Sequence, residues 1–389
     1  MANIGIIINS LTTCGGEERV VSLMANEWIK GNKVTIYTYE TRNPGPEEKN
    51  DYYLSPEINV EKVSLPADSF FTKYAKLLYH YTGMINTSFC RSFLQKLYYP
   101  DSLLNEWVNR LRHSDLDIII AISGNNTMLL GLIQPLITQK TIGWEHSSYE
   151  GYFNRRTGAF KNRLATYVSC ARRLNQIVVL NDDIQSKFNQ CAVSNTTVIS
   201  NPRSFSMAQK ASMSNHTFIT CGRIEAEKGY FDLVRAFHQV HQSFPDWKLI
   251  IVGGGSLQRK LEKLVSHLKL SAYITITGYV KNVQSCLLQA SVYVITSRWE
   301  GFPMSITEAL EAGLPVIGYD IPALKPLITP QEEGIIVPAF DSNQLAAAMK
   351  TLAENADLRT RMSEKAILKS ASLSPEQVSA KWNELFQRL

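Results

Sequence analysis

The sequence predicts an α/β protein built from two doubly wound domains of parallel sheet. Short aliphatic segments alternate with helical patterns from one end of the chain to the other. The segments are continuous apolar runs, which is typical of parallel strands that helices cover on both faces. The chain has 389 residues, and because single domains usually hold about 100 to 200, the length favours two of them.

The predicted strands fall into two groups separated by a polar segment. The first group is IGIIINS, KVTIYTY, LDIIIAIS, QKTIGW and QIVVLND, and the second is TFITCGR, WKLIIVGGG, YITITGYV, ASVYVITS and LPVIGYD. Residues 201–216 are polar and Ser-rich without apolar periodicity, which predicts a linker. We therefore expect domains at 1–200 and 217–373. Residues 374–389 should form a closing helix that could return to the first domain, because Ser374 suits an N-cap and Pro375 a first turn.

Composition excludes several classes of protein. The formal net charge is +5, with 44% hydrophobic and 19% charged residues, which is ordinary for a globular protein and too weakly basic for a nucleic-acid stripe. The six cysteines are scattered without metal-ligand spacing and are expected to be reduced. No signal peptide or spanning segment is predicted. A cytoplasmic location is expected.

Glycines follow the first strand of the predicted first domain. Gly15 and Gly16 precede an apolar helical pattern, and such a turn lets a ligand approach the backbone and the positive end of a helix. A simple tight turn is the alternative, since the dinucleotide fingerprint G-x-G-x-x-G is absent.

Two cations surround the loop after the first strand of the second domain. Arg223 and Lys228 stand in CGRIEAEKGY, and a guanidinium and an ammonium would match the charge of a nucleotide diphosphate. The alternative is that they are solvated or paired with Glu225 and Glu227.

The most informative segment is SRWEGFPMSITEALEAGLPV, residues 297–316. It predicts a strand, a turn and a helix that ends before Gly313 as the C′ residue. Glu300 lies in the turn and Glu308 inside the helix, so the two carboxylates could bind different parts of one elongated ligand. Both could instead be surface charges.

One histidine is a further candidate, and two other motifs are interpreted as structural. His146 follows a predicted first-domain strand and is a candidate donor to a sugar or an acceptor, with Glu145 either orienting it or capping the loop. The DLD of 115–117 is interpreted as the structural start of a strand. The VGGGS of 252–256 is interpreted as a strand-to-helix turn, although it could lie near a donor.

These motifs resemble those of glycosyltransferase family 4, and the resemblance covers nearly the whole chain. It implies a GT-B fold, in which two Rossmann-like domains face a central cleft, and a retaining transfer from a nucleotide sugar. Residues 45–115 are the least family-like. By resemblance, Glu300, His146 and Lys228 are the catalytic candidates. The resemblance also implies these donor-binding residues: Gly15, Gly16, Arg223, Lys228, Tyr279, Val280, Glu300, Gly301, Phe302, Pro303, Met304, Ser305 and Glu308.

The expected activity is retaining transfer of a hexose or N-acetylhexosamine from a UDP-sugar to a saccharide or lipid-linked glycan, in synthesis of a bacterial-type surface polysaccharide. No cofactor or metal is expected, because Arg223, Lys228 and the helix dipole would stabilise the leaving group. The alternatives are a sugar-nucleotide epimerase of the same fold and a catalytically silent accessory subunit. A nicotinamide-dependent enzyme is disfavoured by the absent dinucleotide loop.

Residues 69–100 predict a possible membrane contact. The segment contains no Asp or Glu and interleaves Lys73, Lys76, Arg91 and Lys96 with aromatic residues, as interfacial helices do. Peripheral attachment to an anionic membrane, at its inner face, is one expectation, and a helical pair packed on the first domain is the other. A polyprenyl-diphosphate glycan or a lipopolysaccharide core would suit this charge as an acceptor.

Overall fold

The computed structural model describes residues 1–11, 15–39, 53–65, 69–82, 91–154 and 158–389. These residues divide into two compact units. The first contains Met1–Ser200 and Val378–Leu389, and the second contains Asn201–Gln377. Each unit is built on one parallel sheet, as the apolar strand segments predict.

The first unit has a seven-stranded sheet. Its strands are β1 (Asn3–Ile8), β2 (Lys33–Thr38), β3 (Asn59–Lys62), β4 (Ile118–Ile122), β5 (Lys140–Trp144), β6 (Gln176–Val179) and β7 (Thr196–Val198). Its helices are α1 (Gly16–Trp28), α2 (Phe70–Thr82), α3 (Arg91–Tyr98), α4 (Asp101–Arg112), α5 (Ser123–Ile133), α6 (Tyr149–Phe153), α7 (Leu164–Ala171) and α8 (Asp182–Gln190), with a 3₁₀ turn at Gln134–Leu136. The strand order is β3-β2-β1-β4-β5-β6-β7.

The second unit has a six-stranded sheet. Its strands are β8 (Thr217–Cys221), β9 (Lys248–Val252), β10 (Ile274–Ile276), β11 (Val292–Ile295), β12 (Val316–Tyr319) and β13 (Gly334–Val337). Its helices are α9 (Tyr230–His241), α10 (Gln258–His267), α11 (Val283–Leu287), α12 (Met304–Glu311), α13 (Ser342–Glu354) and α14 (Ala356–Ala371), with 3₁₀ turns at Ala226–Lys228 and Pro322–Leu324. The strand order is β10-β9-β8-β11-β12-β13.

Both sheets run outward in two directions from a central pair of strands, β1 with β4 and β8 with β11. This is the doubly wound arrangement, whose ligands bind beyond the carboxyl ends of the strands where the order reverses. Strands β1, β4, β11 and β12 are almost wholly buried, because helices cover both faces. The sequence predicted every strand except β3, β7 and β13, which lie at sheet edges and are short or partly exposed.

Residues 201–216, which the sequence predicts as a linker, belong to the second unit and contact its helix α12. Glu311 of α12 is 4% exposed at its side chain and pairs with Arg203 and Lys210, each at 2.7 Å. The backbone N–H of Met207 and the hydroxyl of Ser370 also donate to its carboxylate. This segment is therefore fastened to α12 by a buried carboxylate that composition could not reveal.

The closing helix α15 spans Pro375–Arg388, and from Val378 it belongs to the first unit. The Ser374 hydroxyl accepts a bond from the Gln377 backbone N–H, which confirms the predicted N-cap. The fully buried Trp382 packs edge-on against Trp28 and Trp144, with ring centroids 5.2 and 4.7 Å apart. Aromatic burial of this kind ties the end of the chain into the core of the first unit.

Candidate functional site

In the second unit, the order of the strands reverses between β8 and β11. The loop after β8 carries Arg223 and Lys228, and the loop after β11 carries Ser297 and Glu300. Because these two strands are neighbours, their following loops meet at one edge of the sheet. The physical rule for open α/β sheets places a ligand at this point.

Lys228 and Glu300 form the centre of this site. The Lys228 Nζ donates to Glu300 Oε1 at 2.6 Å, and both side chains are mostly buried, with 18% and 15% exposed. The Ser297 hydroxyl donates to the same oxygen at 2.6 Å. The arrangement fixes the carboxylate by two donors, while the ammonium has further N–H groups for an anion.

Hydrogen bonds to backbone carbonyl oxygens hold the two loops together. The Thr296 hydroxyl donates to the Lys228 carbonyl oxygen at 2.8 Å, and the Arg298 N–H donates to the Glu227 carbonyl oxygen at 2.7 Å. Gly229 has a φ of 66°, and a Cβ there would collide with the Thr296 carbonyl oxygen. A glycine at 229 therefore lets the Lys228 loop lie directly on the loop after β11.

Arg223 is placed differently from Lys228. Its side chain is 78% exposed and lies 3.4 Å from Glu227, so the pairing that the sequence left open is present for the arginine and not for the lysine. Glu225 instead accepts bonds from the backbone N–H and hydroxyl of Ser256. These bonds hold the pKa of Glu225 below its ordinary value.

The glycine-rich loop after β9 joins the same edge of the sheet. The Ile224 N–H donates to the Gly254 carbonyl oxygen, and the Gly253 N–H donates to that of Gly278, beside the 67% exposed Tyr279. A Cβ at Gly253, whose φ is 134°, would collide with the Gly222 carbonyl oxygen. The loops after β8, β9 and β10 thus form one backbone surface that includes the turn leading to Val280.

Helix α12 starts from the turn that contains Glu300. Pro303 is its N-cap and Gly313, with a φ of 77°, follows its C-cap Ala312, which confirms the predicted helix end. Phe302 and Pro303 are buried, and Glu308 is 6% exposed. Glu308 is therefore no surface charge. Because the first turn of a helix directs N–H groups outward, Met304 and Ser305 are placed to bind an anion through their backbone.

In the first unit, the glycine loop lies partly outside the described residues, since 12–14 are not described. Gly15 is the N-cap of α1 and Gly16 its first residue. Glu17 follows in the first turn. Burial, together with the charges of Glu18 and Glu145, raises the pKa of Glu17 to about 7. The sequence did not single out this carboxyl.

His146 follows β5, its ring 4.5 Å from that of Trp144. Burial lowers the pKa of His146 to about 3, so the imidazole is neutral at pH 7, and its Nε2 has no hydrogen-bond partner within the described ranges. Glu145 faces elsewhere: its Oε1 accepts from Thr127 at 2.6 Å and Tyr167 at 2.8 Å. Burial raises the pKa of this fully enclosed carboxyl, although those hydroxyls oppose the rise.

The structure thus brings together Lys228, Glu300 and the start of α12, with Arg223, Tyr279 and Val280 on adjoining loops. Gly15, Gly16 and His146 lie in the other unit. Sequence reasoning missed Ser297, Thr296 and Gly229. Only their positions could have identified them as site residues, because Thr296 and Ser297 directly follow β11 and Gly229 directly precedes α9. Asp117 and Asp115 of the DLD motif bond to Asn3, which confirms their structural interpretation.

Two features are absent from the described residues. No group of three or more His, Cys, Asp or Glu side chains there is arranged to hold a metal ion. None of the described helices is both long and apolar enough to cross a bilayer.

Comparison with known proteins relates the chain to glycosyltransferases. Residues 203–369, which include Lys228, Glu300 and Glu308, match the model of glycosyl transferases group 1. An uncharacterized glycosyltransferase of Haemophilus influenzae is 25% identical over 387 residues, covering 98% of this chain and 99% of the relative. The amylovoran biosynthesis glycosyltransferase AmsD of Erwinia amylovora is 24% identical over 399 residues, covering 98% of both chains.

Solved structures show the fold. Anabaena HepE in complex with UDP superposes with a TM-score of 0.77 at 17% identity, covering all of both chains. A Staphylococcus aureus TarM variant in complex with Fondaparinux, alpha-GlcNAc-glycerol and UDP gives 0.76 at 15% identity, covering 99% of this chain and 100% of that one. The fold of this chain is GT-B, as the sequence motifs predicted.

Proposed function

We propose that this chain is a retaining glycosyltransferase of family 4 that transfers a hexose or N-acetylhexosamine from a UDP-sugar to a saccharide or lipid-linked glycan. The observation that carries the proposal is the Lys228–Glu300 contact at the strand-order reversal of the second sheet, immediately before helix α12. It sets a cation, a fixed carboxylate and a helix N-terminus within one loop cluster, as a nucleotide sugar requires.

Each group has a role in this proposal. The Lys228 ammonium binds the diphosphate and, with Arg223 and the α12 dipole, stabilises the negative charge of the departing nucleotide. Glu300, held by Lys228 and Ser297, keeps one oxygen, Oε2, to accept a hydroxyl of the transferred sugar. Glu308 binds the ribose hydroxyls. No metal or cofactor has a part in this scheme.

The neutral His146 would act in the acceptor half as a hydrogen-bonding group rather than as a cation. The ligands and names of similar proteins support the choice of substrates. HepE and TarM were solved with UDP, and AmsD is named for amylovoran biosynthesis. We therefore place the activity in synthesis of a surface polysaccharide.

The direct test is a panel of nucleotide sugars, each screened with the full chain by thermal shift, since a ligand that binds the native state raises apparent stability. The stabilising donor is then incubated with candidate acceptors, and NMR reports the anomeric configuration of the product. Inversion of configuration would contradict the retaining proposal. Conversion of the donor sugar to its epimer, without acceptor, would favour the epimerase, and no UDP binding would favour an accessory subunit.

Glu308→Gln should weaken UDP binding by about tenfold or more, because a buried carboxylate that accepts ribose hydroxyls contributes more than an amide. Isothermal calorimetry with UDP measures the change. The matched control is Glu262→Gln on the exposed face of α10. Equal affinities in the two variants would remove Glu308 from the donor site.

We further propose peripheral contact with an anionic membrane through α2. Tyr79 anchors this helix, its hydroxyl bonding the Asn162 carbonyl oxygen at 2.6 Å. The remaining surface exposes large apolar side chains, including Phe70 at 88% and Phe71 at 78%. Residues 83–90 of the segment lie outside the described residues, as does the side chain of Arg91. An aromatic face with lysines and no acidic residue suits an anionic interface.

Replacing both Phe70 and Phe71 with Ser should reduce binding to phosphatidylglycerol vesicles by at least about tenfold, because each buried Phe side chain contributes roughly 1.5–3 kcal/mol. Sedimentation with vesicles measures bound protein. Leu368→Ser, at a 67% exposed apolar position of α14, is the control. If the wild-type protein does not sediment with anionic vesicles, the proposed membrane contact is wrong.

A further inference from the structure

A small pocket in the first unit lies at the carboxyl ends of its central strands. Asn9 follows β1, Tyr39 follows β2, and Asn125 and Asn126 lie in the first turn of α5, which follows β4. These strands surround the point where the first sheet reverses its order. The described residues that line the pocket all belong to the first unit, whereas Lys228 belongs to the second.

The lining combines aromatic rings with amides. The lining residues are Asn9, Tyr39, Leu65, Lys76, Tyr98, Tyr99, Leu103, Asn125, Asn126 and Leu129. Such a mixture suits a sugar ring, which presents apolar C–H faces to aromatic side chains and hydroxyls to amides. The volume is about 190 Å³, below the roughly 300–1,000 Å³ of sites for drug-sized ligands. The space therefore fits a single ring.

The amide of Asn126 is fixed in a defined orientation. This side chain is 3% exposed, and its nitrogen donates to the Ile122 carbonyl oxygen at 2.9 Å and to Asn9 Oδ1 at 3.2 Å. No donor in the described part of the chain bonds its Oδ1. A buried amide whose donors are occupied and whose acceptor is available is set to receive a ligand hydroxyl, since buried polar groups are usually satisfied.

One cation, Lys76, lines the pocket, and a second, Arg163, contacts two of its lining side chains. Arg163 lies over the Tyr98 ring at 4.3 Å from its centroid and donates to Asn125 Oδ1 at 2.9 Å. Its other terminal nitrogen, Nη1, is buried and meets no acceptor of suitable geometry within the described ranges. Lys76 approaches the same Tyr98 ring at 5.6 Å. A guanidinium nitrogen enclosed without an acceptor is an expected anion-binding group.

Cationic charge also acts on a titratable group of α2, after the larger effect of burial. Burial, then the charges of Lys161 and Arg163, lower the pKa of His80 on α2. The nearby carboxylate of Glu106 is 3.7 Å from Arg110, so part of its charge is already balanced.

We infer that this pocket binds one anionic sugar residue of the acceptor, its ring against Tyr39, Tyr98 and Tyr99 and its carboxylate or phosphate near Lys76 and Arg163. The inference rests on the proposed function, because it treats the pocket as the acceptor side of a glycosyl transfer. It adds a substrate class: an acceptor whose terminal sugar carries a negative charge.

The test is a ligand-observed NMR titration of the full chain at fixed salt, with UDP present to occupy the nucleotide site. The probes are glucuronate, glucose 6-phosphate, neutral glucose and inorganic phosphate. We expect at least one anionic sugar to bind about tenfold more tightly than glucose, the gain of one charge-assisted contact. Whichever of the two anionic sugars binds more tightly identifies the carboxylate or the phosphate as the natural group.

Lys76→Gln should bring the affinity of the anionic sugar close to that of glucose. Lys73→Gln, at an exposed lysine of the same helix that does not line the pocket, should keep the preference. Thermal melts check that both variants are folded. Equal binding of all sugars by the wild type, an unchanged preference in Lys76→Gln, or equally tight binding of inorganic phosphate would each overturn the inference.

Calorimetry with UDP on the same samples separates this inference from the proposed function. Loss of UDP binding with an intact preference for anionic sugars would contradict the donor site alone. UDP binding without that preference would contradict the acceptor pocket alone.

Discussion

Lys228→Ala is expected to lower kcat for sugar transfer by about 10²–10³, the usual cost of removing one preorganised group that stabilises charge in a transition state. The Lys228 ammonium is held at 2.6 Å from Glu300 in a mostly buried position, where a charge interacts more strongly than it would in water. Because the diphosphate leaves in both reactions, hydrolysis of the donor should slow in parallel with transfer. Initial rates of UDP release, with and without acceptor, measure the two effects.

The control is Arg235→Ala, which removes a 57% exposed cation. Arg235 lies 3.4 Å from Asp232, three residues earlier in helix α9. The variant should retain wild-type rates, because surface pairs contribute only about 0–1 kcal/mol. If Lys228→Ala slowed transfer but left donor hydrolysis unchanged, Lys228 would act on the acceptor and not on the leaving group. Full activity in both reactions would make the site assignment wrong.

Glu311→Gln is expected to lower the free energy of unfolding by about 3 kcal/mol, the lower part of the range for breaking a buried ion pair. The Glu311 side chain is 4% exposed and pairs with Arg203 and Lys210, which are themselves partly exposed and can regain some hydration. Urea unfolding of the variant and the wild type at pH 7 measures the difference. Glu332→Gln, which breaks an exposed pair with Lys365, should cost about 0–1 kcal/mol.

The difference should also depend on pH. Burial opposes ionisation of Glu311, but the bonds from Lys210, Met207 and Ser370, with the charge of Arg203, outweigh it and hold its pKa below the ordinary value. A carboxyl with a lowered native pKa contributes stability that is complete above its unfolded pKa of about 4.3 and is lost as the pH falls through the native pKa. The gap between wild type and Glu311→Gln should therefore be full at pH 6 and shrink below about pH 4. A gap independent of pH would contradict ionisation of Glu311.

The donor half of the site shows where sequence reasoning succeeds. Lys228, Glu300 and Glu308 could be selected from local pattern alone, because Lys228 and Glu300 lie in loops that follow recognisable strands and Glu308 lies in the helix that follows the second loop. Their mutual contact could not be selected. It depends on β8 and β11 being neighbours, and these strands are separated by two complete strand-helix units along the chain.

Arg223 and Lys228 illustrate the same limit. The sequence treats them as an equivalent pair of cations five positions apart. Only the structure distinguishes a lysine held on Glu300 from an arginine that is 78% exposed. The difference comes from Gly229, whose left-handed backbone lets the end of the 3₁₀ turn lie on Thr296.

Buried polar groups were the least predictable. Glutamate is usually a surface residue. Nothing in the local sequence around Glu145 or Glu311 shows that hydroxyls or cations from distant segments enclose them. Short edge strands such as β3 and β7 were missed for a related reason, because an exposed edge does not need a continuous apolar run.

Sequence by itself determined the doubly wound architecture, the glycosyltransferase motifs and the helix ends, because hydrophobic periodicity, glycines and caps act over a few neighbouring residues. Tertiary structure alone decided which motif residues contact each other, which cations pair with Glu311 and where the small pocket of the first unit forms. These features depend on strand order and on burial, and both are set by contacts between residues far apart in the chain.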